Sequence, residues 1–348
     1  MAAGGQNRLF DGLFADPEVA ALFSAETMLA QFMAFECALT RAQGRWRALR
    51  NAERAVALME TVRLDPEGLA ARVRRDGVPV PAFVAALRAE MGADADALHQ
   101  GATSQDVMDT SLALSLRGVS DLLDARLSNL LAQLATLTNQ HGTAPLMGRT
   151  RMQAALPMTV ADRLASWTAP LERVRTRLPE IRAGVEHLQF GGPVGVRAPE
   201  DDAVAADMAK ALGLQPPGPV WHATRDGVVA YGNWLALVSG SLGKMGQDLA
   251  LMAQQGLDEV QLSGGGASSA MPHKQNPVAA EILVTLSRFN ATQISGLHHA
   301  MVHEQERSGA AWSLEWMILP QMCETTGAAL LHARDLLNGI ERLGTPTA

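Results

Sequence analysis

The stretch DVMDTSLALSLRGVSDLLDARLSNLLAQLATLTNQ, residues 106–140, carries an apolar residue at almost every third or fourth position. These positions are Leu112, Leu116, Val119, Leu123, Leu127, Leu130, Leu134 and Leu137. Because an α-helix has about 3.6 residues per turn, this spacing places all of them on one face. The pattern therefore predicts one long helix over roughly 106–140, buried along one side.

Three later segments repeat the same spacing. It runs from Val228 to Met252, from Ile282 to Leu297 and from Leu314 to Leu337. Four long helices favour a helix bundle. Alternating Val, Ile and Tyr segments bounded by turn pairs are scarce, and the chain has a single tyrosine, which argues against an extensive sheet. The predicted fold class is all-α, built on a bundle of long helices.

The chain before residue 101 shows a different pattern of secondary structure. Its helical segments are short and are interrupted by turn sequences such as VRLDPEG (62–68) and RRDGVPVP (74–81). We expect a smaller N-terminal helical domain over 1–100 and a central long-helix domain over 101–348. The Pro- and Gly-rich joints further along are too short to be flexible domain linkers.

Composition limits the partners and the compartment. Of the 348 residues 47% are hydrophobic and 19% charged, which is typical of a soluble globular protein. A net charge of -7 without a Lys/Arg block argues against nucleic acid or a membrane surface and favours a small-molecule ligand. Cys37 and Cys323 are too few for a disulfide framework, and the N-terminus lacks a secretory pattern, so we expect a cytoplasmic protein.

The segment HQGATSQDVMDT, residues 99–110, is the first of three polar segments at predicted helix ends. Thr103 or Ser104 fits the N-cap of the long helix, with Asp106 in its first turn. That explanation leaves His99 and the second hydroxyl unused. A helix N-terminus with several donors is also a good anion site, so binding of a carboxylate is predicted as well.

The second polar segment is GRTRMQAALP, residues 148–157. Arg149 and Arg151 stand beside hydroxyl and amide side chains, and two guanidinium groups in such company are suited to hold carboxylates. Taken alone, the segment is better explained as an exposed surface turn.

The third polar segment is SGGGASSAMPHKQNP, residues 263–277. Pro277 at the first position of a helix would make Asn276 a simple cap. Lys274 is more informative, because the chain has 29 cationic residues and only three are lysines. A compact ammonium beside a serine pair suits the stabilisation of a developing negative charge. The glycines would let the segment close as a lid and exclude water.

Together the three segments resemble the motifs of the fumarase/aspartase superfamily, in the order that the superfamily has them and over about residues 20–320. Within the superfamily they are most similar to those of the bacterial enzymes that cyclise 3-carboxy-cis,cis-muconate. The segments QFGGPVG (189–195) and HEQERSGAAWSLEW (303–316) carry the same likeness.

The resemblance implies an activity. It is closure of 3-carboxy-cis,cis-muconate to 4-carboxymuconolactone, in the protocatechuate branch of the β-ketoadipate pathway. A substrate carboxylate adds across the double bond, and an aci-carboxylate intermediate is then protonated at carbon. Cations and hydrogen-bond donors aimed at the developing charge lower the barrier most.

The resemblance also implies roles for residues of all three segments. Ser268 is expected to transfer the proton, with its alkoxide stabilised by Lys274 and by the backbone N–H groups of Gly265 and Gly266. His99 is expected to bind substrate or relay a proton, although a helix-end histidine satisfied by backbone is as good an explanation. Expected contacts to the three substrate carboxylates come from Thr103, Ser104, Arg149, Arg151, Asn276, Lys274 and Arg307. Gln153 is expected to help position the substrate.

Members of the superfamily are homotetramers whose active sites combine motifs from three chains, and the long apolar stripes agree with such an assembly. Two departures stand out. Lyases of the superfamily carry a histidine where this chain has Arg151, which cannot act as a general acid. The chain also ends soon after the long helices, so the usual third helical domain is expected to be absent.

Two further predictions and two rival functions complete the interpretation. His299 and His303 lie four residues apart beside Glu304, but without a third ligand they indicate a solvated helix face, and no metal is predicted. No nucleotide-binding glycine loop is present and no cofactor is expected. The rivals are a lyase that releases fumarate from adenylosuccinate or argininosuccinate, and a non-catalytic helical scaffold.

Overall fold

The computed structural model describes residues 8–215, 218–263, 266–267, 271 and 275–346, and its first helices are short except for the third, which has 22 residues. After a 3₁₀ turn they are α1 (Asp11–Phe14), α2 (Pro17–Ala21), α3 (Ala25–Trp46), α4 (Ala52–Met59), α5 (Pro66–Asp76) and α6 (Val80–Met91). Their starts follow local chemistry. Asp16 and Asp65 accept hydrogen bonds from backbone N–H groups of the first turns of α2 and α5, and a proline opens each helix.

Longer helices follow a 3₁₀ segment at Gly92–Ala97. They are α7 (Ser104–His141), α8 (Val160–Ala183), the shorter α9 (Asp202–Leu212), α10 (Asp226–Met252), α11 (Val278–Ala300) and α12 (Gly309–Asn338). The predicted long helices are confirmed, and α7 extends the predicted 106–140 by a residue or two at each end. None of the described helices combines the length and apolar content needed to cross a membrane.

Two apolar cores organise these helices. In the larger one, the buried leucines of α7 pack with apolar side chains of α8, α10, α11 and α12, including Trp167 and Trp234. The smaller core joins α3, α4 and α6 to the start of α7. It also takes in Val204 and Met208 of α9, which lies a hundred residues further along the chain. The division into domains at residue 100 stays a prediction.

Six short strands form three two-stranded antiparallel sheets in the described part of the chain. They are β1 (Pro145–Thr150), β2 (Gln153–Thr159), β3 (Val260–Leu262), β4 (Gly266–Ala267), β5 (Gln275–Asn276) and β6 (Ile340–Leu343). The pairs are β1 with β2, β3 with β6, and β4 with β5. The all-α class is confirmed, since these sheets are small additions at the ends of a helix bundle.

One local prediction is corrected. The alternative to a binding role for Asn276 was a simple cap of the helix that starts near Pro277, but Asn276 belongs to β5 and pairs with Gly266. The N-cap position of α11 is Pro277 itself, with no side-chain hydrogen bond to the first turn. A proline has no side-chain acceptor, so this helix start relies on packing and leaves the Asn276 amide uncommitted to capping.

Candidate active site

The first polar segment opens α7. Thr103 is the N-cap, and its backbone N–H donates to Asp106 Oδ2 at 2.9 Å. Ser104 is the first helical residue, and both hydroxyl side chains are half-buried. The capping role predicted for this segment is therefore confirmed for Thr103, and Ser104 lies beside it at the positive end of the helix dipole.

Asp106 is fully buried and joins three segments. Its carboxylate accepts the backbone N–H of Gly191 at 2.8 Å and of Gly192 at 2.9 Å. It also contacts Nε2 of the buried His222 at 2.8 Å. The segment 189–195, which carries part of the likeness to the superfamily, is thereby fixed against the start of α7.

His99 lies a turn before α7, and its side chain is 15% exposed. Its Nδ1 lies 2.6 Å from Oε1 of Glu36 in α3, and its backbone N–H donates to Oε2 of the same carboxylate at 3.0 Å. The alternative of a histidine satisfied only by backbone is therefore wrong, because the ring's partner is the side chain of Glu36.

Arg307, in the connection between α11 and α12, joins this group. Its Nε donates to Oε1 of the buried Gln105 at 2.7 Å, and Gln105 Nε2 donates to the carbonyl of His222 at 2.8 Å. The structure thus brings His99, Thr103, Ser104 and Arg307 to the same end of the molecule, as donors around a helix N-terminus.

A buried ion cluster lies one helical turn behind these residues. The Arg225 guanidinium donates to Asp109 at 2.8 Å and to Glu315 at 2.5 Å, and all three side chains are at most 2% exposed. Burial raises the pKa of Glu315, an effect that the charge of Arg225 partly offsets. Trp312 Nε1 also donates to Asp109, at 3.2 Å. The cluster ties α7, α10 and α12 together under the first segment.

The second polar segment forms the hairpin β1–β2, not an irregular turn. Arg151 and Met152 occupy its two-residue loop with φ values of 49° and 66°. Residues other than glycine rarely adopt this backbone region. Arg151 and Gln153 are exposed. Arg149 is half-buried, and its Nη1 donates to Oε1 of the buried Glu259 at 2.6 Å, so part of this guanidinium is already engaged.

The third polar segment is described only in part. Asn276 is half-buried in β5, beside a cavity of about 980 Å³ that Gln247, Asp258 and Arg342 also line. The predicted catalytic residues Ser268 and Lys274 lie outside the described residues, as does Gly265.

The predicted residues that the structure describes fall into two groups at opposite ends of the bundle. The 38 residues of α7 rise about 57 Å between the first segment and the hairpin that follows. The hairpin and the start of the third segment share an end, because Arg149 bonds to Glu259 and Thr345 N–H donates to the carbonyl of Pro145 at 2.8 Å. Within one copy, the described residues of the second and third segments therefore lie far from the first segment.

Several residues that shape the site were missed by the sequence analysis. They are Glu36, Gln105, His222 and Glu259. Glu36 gave a usable signal, since it is the only acid in the apolar run FMAFECALT (32–40). A single acid among apolar residues on a helix indicates a buried carboxylate that requires a partner.

His299 and His303, which the sequence analysis considered as metal ligands, lie in different environments. His303 Nδ1 accepts the backbone N–H of Ser308 at 3.4 Å, and His299 is exposed on α11. Across residues that the structure describes, no three His, Cys, Asp or Glu side chains gather as metal ligands do.

Comparison with known proteins identifies the family. A family model described as "Lyase" matches residues 75–296, which is well over half of the chain. The chain belongs to this lyase family. The resemblance to the fumarase/aspartase superfamily is thereby confirmed, together with the fold that it implied.

Individual known proteins are similar to this chain over most of its length. A protein named 3-carboxy-cis,cis-muconate cycloisomerase from Pseudomonas aeruginosa is 40% identical, covering 96% of this chain and 76% of that protein. The crystal structure of a 3-carboxy-cis,cis-muconate lactonizing enzyme from Pseudomonas putida superposes with a TM-score of 0.89 at 36% identity, covering 97% and 77%. A fumarate lyase from Mesorhizobium sp. BNC1 gives 0.88 at 32%, covering 95% and 76%.

Proposed function

We propose that this chain is a 3-carboxy-cis,cis-muconate cycloisomerase that closes its substrate to a lactone. The observation that carries the proposal is the 40% identity to a protein of that name across 96% of the chain. The lactonizing enzyme from Pseudomonas putida supports it through both fold and sequence. The expected ligand is a small tricarboxylate. This agrees with a chain that has many hydrogen-bond donors at its candidate site and carries no run of Lys and Arg residues.

The first segment supplies one half of the site. A substrate carboxylate at the start of α7 meets the hydroxyl groups of Thr103 and Ser104 and the positive end of the helix dipole. Arg307 adds a full positive charge, and its bond to Gln105 fixes where that charge lies. These groups hold the substrate and stabilise negative charge as the carboxylate adds to the double bond.

The second and third segments supply the other half. Arg151 and Gln153 present exposed donors on the hairpin, and Asn276 lies at the same end of the bundle. Arg149 keeps several N–H donors beyond the one that Glu259 uses. Ser268 and Lys274 complete this half by their positions in the motif, the serine as proton carrier and the lysine as the charge that stabilises its alkoxide.

The two halves combine between copies of the chain. Because α7 separates them by about 57 Å within one copy, a site with all three segments needs at least two copies. A homotetramer with shared active sites meets this requirement, and it also covers the exposed apolar residues Met152 and Leu156 of the hairpin.

The structural likeness to a fumarate lyase keeps a second candidate in view, the release of fumarate from a succinyl adduct. It is less favoured, because the resemblance implies a histidine at the position of Arg151 in lyases of the superfamily, and an arginine does not act as a general acid.

The test mixes the purified protein with 3-carboxy-cis,cis-muconate and follows the loss of diene absorbance, with the product identified by NMR. We expect a lactone, at a rate that falls by about 100-fold or more in Ser268→Ala. Ser263→Ala is the matched control, since Ser263 lies in the same segment but bonds to the Gly339 carbonyl. Lack of diene loss, or fumarate release from adenylosuccinate or argininosuccinate, would overturn the proposal.

A further inference from the structure

One face of α3 holds the segment that carries His99. Glu36, Thr40 and Gln43 follow one another at helical spacing on this face. Thr40 Oγ1 donates to the carbonyl of Ala97 at 3.3 Å, and Gln43 Nε2 donates to the carbonyl of Gln100 at 2.7 Å. His99 lies between these two anchored residues, and the Glu36 carboxylate contacts its ring and accepts its backbone N–H.

Among the described residues, the Glu36 carboxylate has no hydrogen-bond partner other than His99. It is fully buried, and within the described part of the chain neither a lysine nor an arginine pairs with it. A buried carboxylate needs donors on both oxygens, and His99 supplies both. His99 meets this demand with φ at 59°, in the left-handed region, so the surrounding contacts hold its backbone in an uncommon conformation.

We propose that Glu36 is the positioning residue of His99, keeping a proton on Nδ1 so that Nε2 alone exchanges a proton or hydrogen bond with the substrate. The inference rests on the proposed function for its substrate and on geometry for the rest. An ionised carboxylate only accepts hydrogen bonds, so the nitrogen facing it carries the proton. Among the described residues Nε2 has no hydrogen-bond partner, and it is the nitrogen left to face a ligand.

Glu36→Gln gives a sharp test because the backbone sets the orientation of the new side chain. The His99 N–H can only donate, so the amide oxygen introduced by the substitution must lie where Oε2 of Glu36 lies now. The amide NH₂ then faces Nδ1, which must accept. The single proton of the neutral ring moves to Nε2, and the ring loses its ability to take up a proton there.

The first measurement needs no substrate. Magic-angle-spinning ¹⁵N NMR of histidine-labelled protein reports which ring nitrogen carries the proton, with the His99 signals assigned by their loss in His99→Asn. We expect a protonated Nδ1 in the wild type and in Glu36→Asp, and an unprotonated Nδ1 in Glu36→Gln. An unprotonated Nδ1 in the wild type, or an unchanged ring in Glu36→Gln, would overturn the assignment.

The second measurement is kinetic. We expect kcat on 3-carboxy-cis,cis-muconate to fall about 100-fold or more in Glu36→Gln while KM changes less than about threefold, as removal of a proton-transfer function predicts. Glu36→Asp should recover much of the loss. The matched control Thr40→Val removes a neighbouring anchor of the same segment without touching the ring, and should keep kcat within about threefold.

The outcomes separate the two proposals. Equal losses in Thr40→Val and Glu36→Gln, or an unchanged kcat in Glu36→Gln, would contradict a role through the ring. A wild type inactive on this substrate but with the expected ring protons would reject the proposed function and leave the role of Glu36 in place.

Discussion

Asp106 Oδ1 and His222 Nε2 meet at 2.8 Å in the interior, although 116 residues separate them in the chain. The same carboxylate also accepts the N–H groups of Thr103, Gly191 and Gly192. One side chain thus caps α7 and holds the glycine-rich segment beside the predicted carboxylate site.

Replacement of Asp106 by asparagine is expected to destabilise the protein strongly. The amide nitrogen cannot accept, so at least one backbone N–H loses its partner in the interior even where the His222 ring accepts from the new amide, at about 1–3 kcal/mol. Asp162→Asn is the matched control, because Asp162 caps α8 in the same manner but in an exposed position. It should destabilise the protein clearly less than Asp106→Asn does. Urea unfolding measures both, and equal costs would contradict the account.

The buried cluster around Arg225 makes a second prediction. Arg225→Met leaves Asp109 and Glu315 buried without their cation, which should cost about 3–5 kcal/mol of unfolding free energy near neutral pH. Arg41→Met, which breaks the exposed pair with Glu60, should cost under about 0.5 kcal/mol.

The cost of Arg225→Met should also depend on pH. Burial raises the pKa of Glu315, so the folded state holds that proton more tightly than the unfolded chain does. Stability gained in this way is present at low pH and lost as pH rises. The charge of Arg225 lowers this pKa, so its removal raises the Glu315 pKa further and the variant takes up the proton at a higher pH than the wild type does. The gap in stability between variant and wild type should therefore narrow as pH falls from about 7 to about 5. A constant or widening gap would mean that the carboxylates are paired by other groups.

The lowered pKa of His303 predicts that the protein loses stability as pH falls, which is opposite in direction to the effect of Glu315. Burial lowers its pKa, the charge of Arg225 lowers it further, and Asp109 and Glu304 partly offset these effects. The folded state thus resists protonation, and stability is lost as pH falls below the ordinary histidine value of 6.5. In thermal melts at about pH 7.5 and about pH 5.5, His303→Asn should lose less Tm than the wild type. The exposed His298→Asn should behave like the wild type, and an unchanged Tm difference in His303→Asn would contradict the assignment.

The hairpin loop predicts a trade between stability and activity. Arg151 and Met152 both have positive φ, which asparagine and glycine adopt more readily. Arg151→Asn with Met152→Gly should raise stability by about 0.5–1 kcal/mol. It should lower kcat/KM by about tenfold or more if Arg151 binds a carboxylate. Met152→Gly alone should keep part of the stability gain and near-normal kinetics. A fully active double variant would remove Arg151 from the site.

Periodicity was sufficient for the helices, because burial imposes it directly. The apolar spacing of α7 located its ends to within two residues, and the cap at Thr103 followed from residue type. Prolines were less reliable markers. Pro170, Pro179 and Pro320 lie inside helices, where bundle packing outweighs the lost backbone hydrogen bond.

The sequence did not predict the hairpin or the partners of the site residues. Residues 153–157 of β2 are all exposed, so no alternation of apolar and polar residues marks the strand. Glu36 and His99 are 63 residues apart, and Arg149 and Glu259 are 110 apart. A lone buried acid indicates that a partner exists, but only the packing of α3 against the segment before α7 selects it.

Each copy of the chain is proposed to carry two half-sites that work only in combination with those of other copies. The direct measurement mixes two inactive variants, His99→Asn and Ser268→Ala, under conditions in which native mass spectrometry shows subunit exchange. Half of each kind of half-site is then intact, so about one quarter of the combined sites should have both, and activity should recover toward that fraction of the wild type. If activity after exchange stays at the level of the separate variants, both residues act within one copy and the account is contradicted.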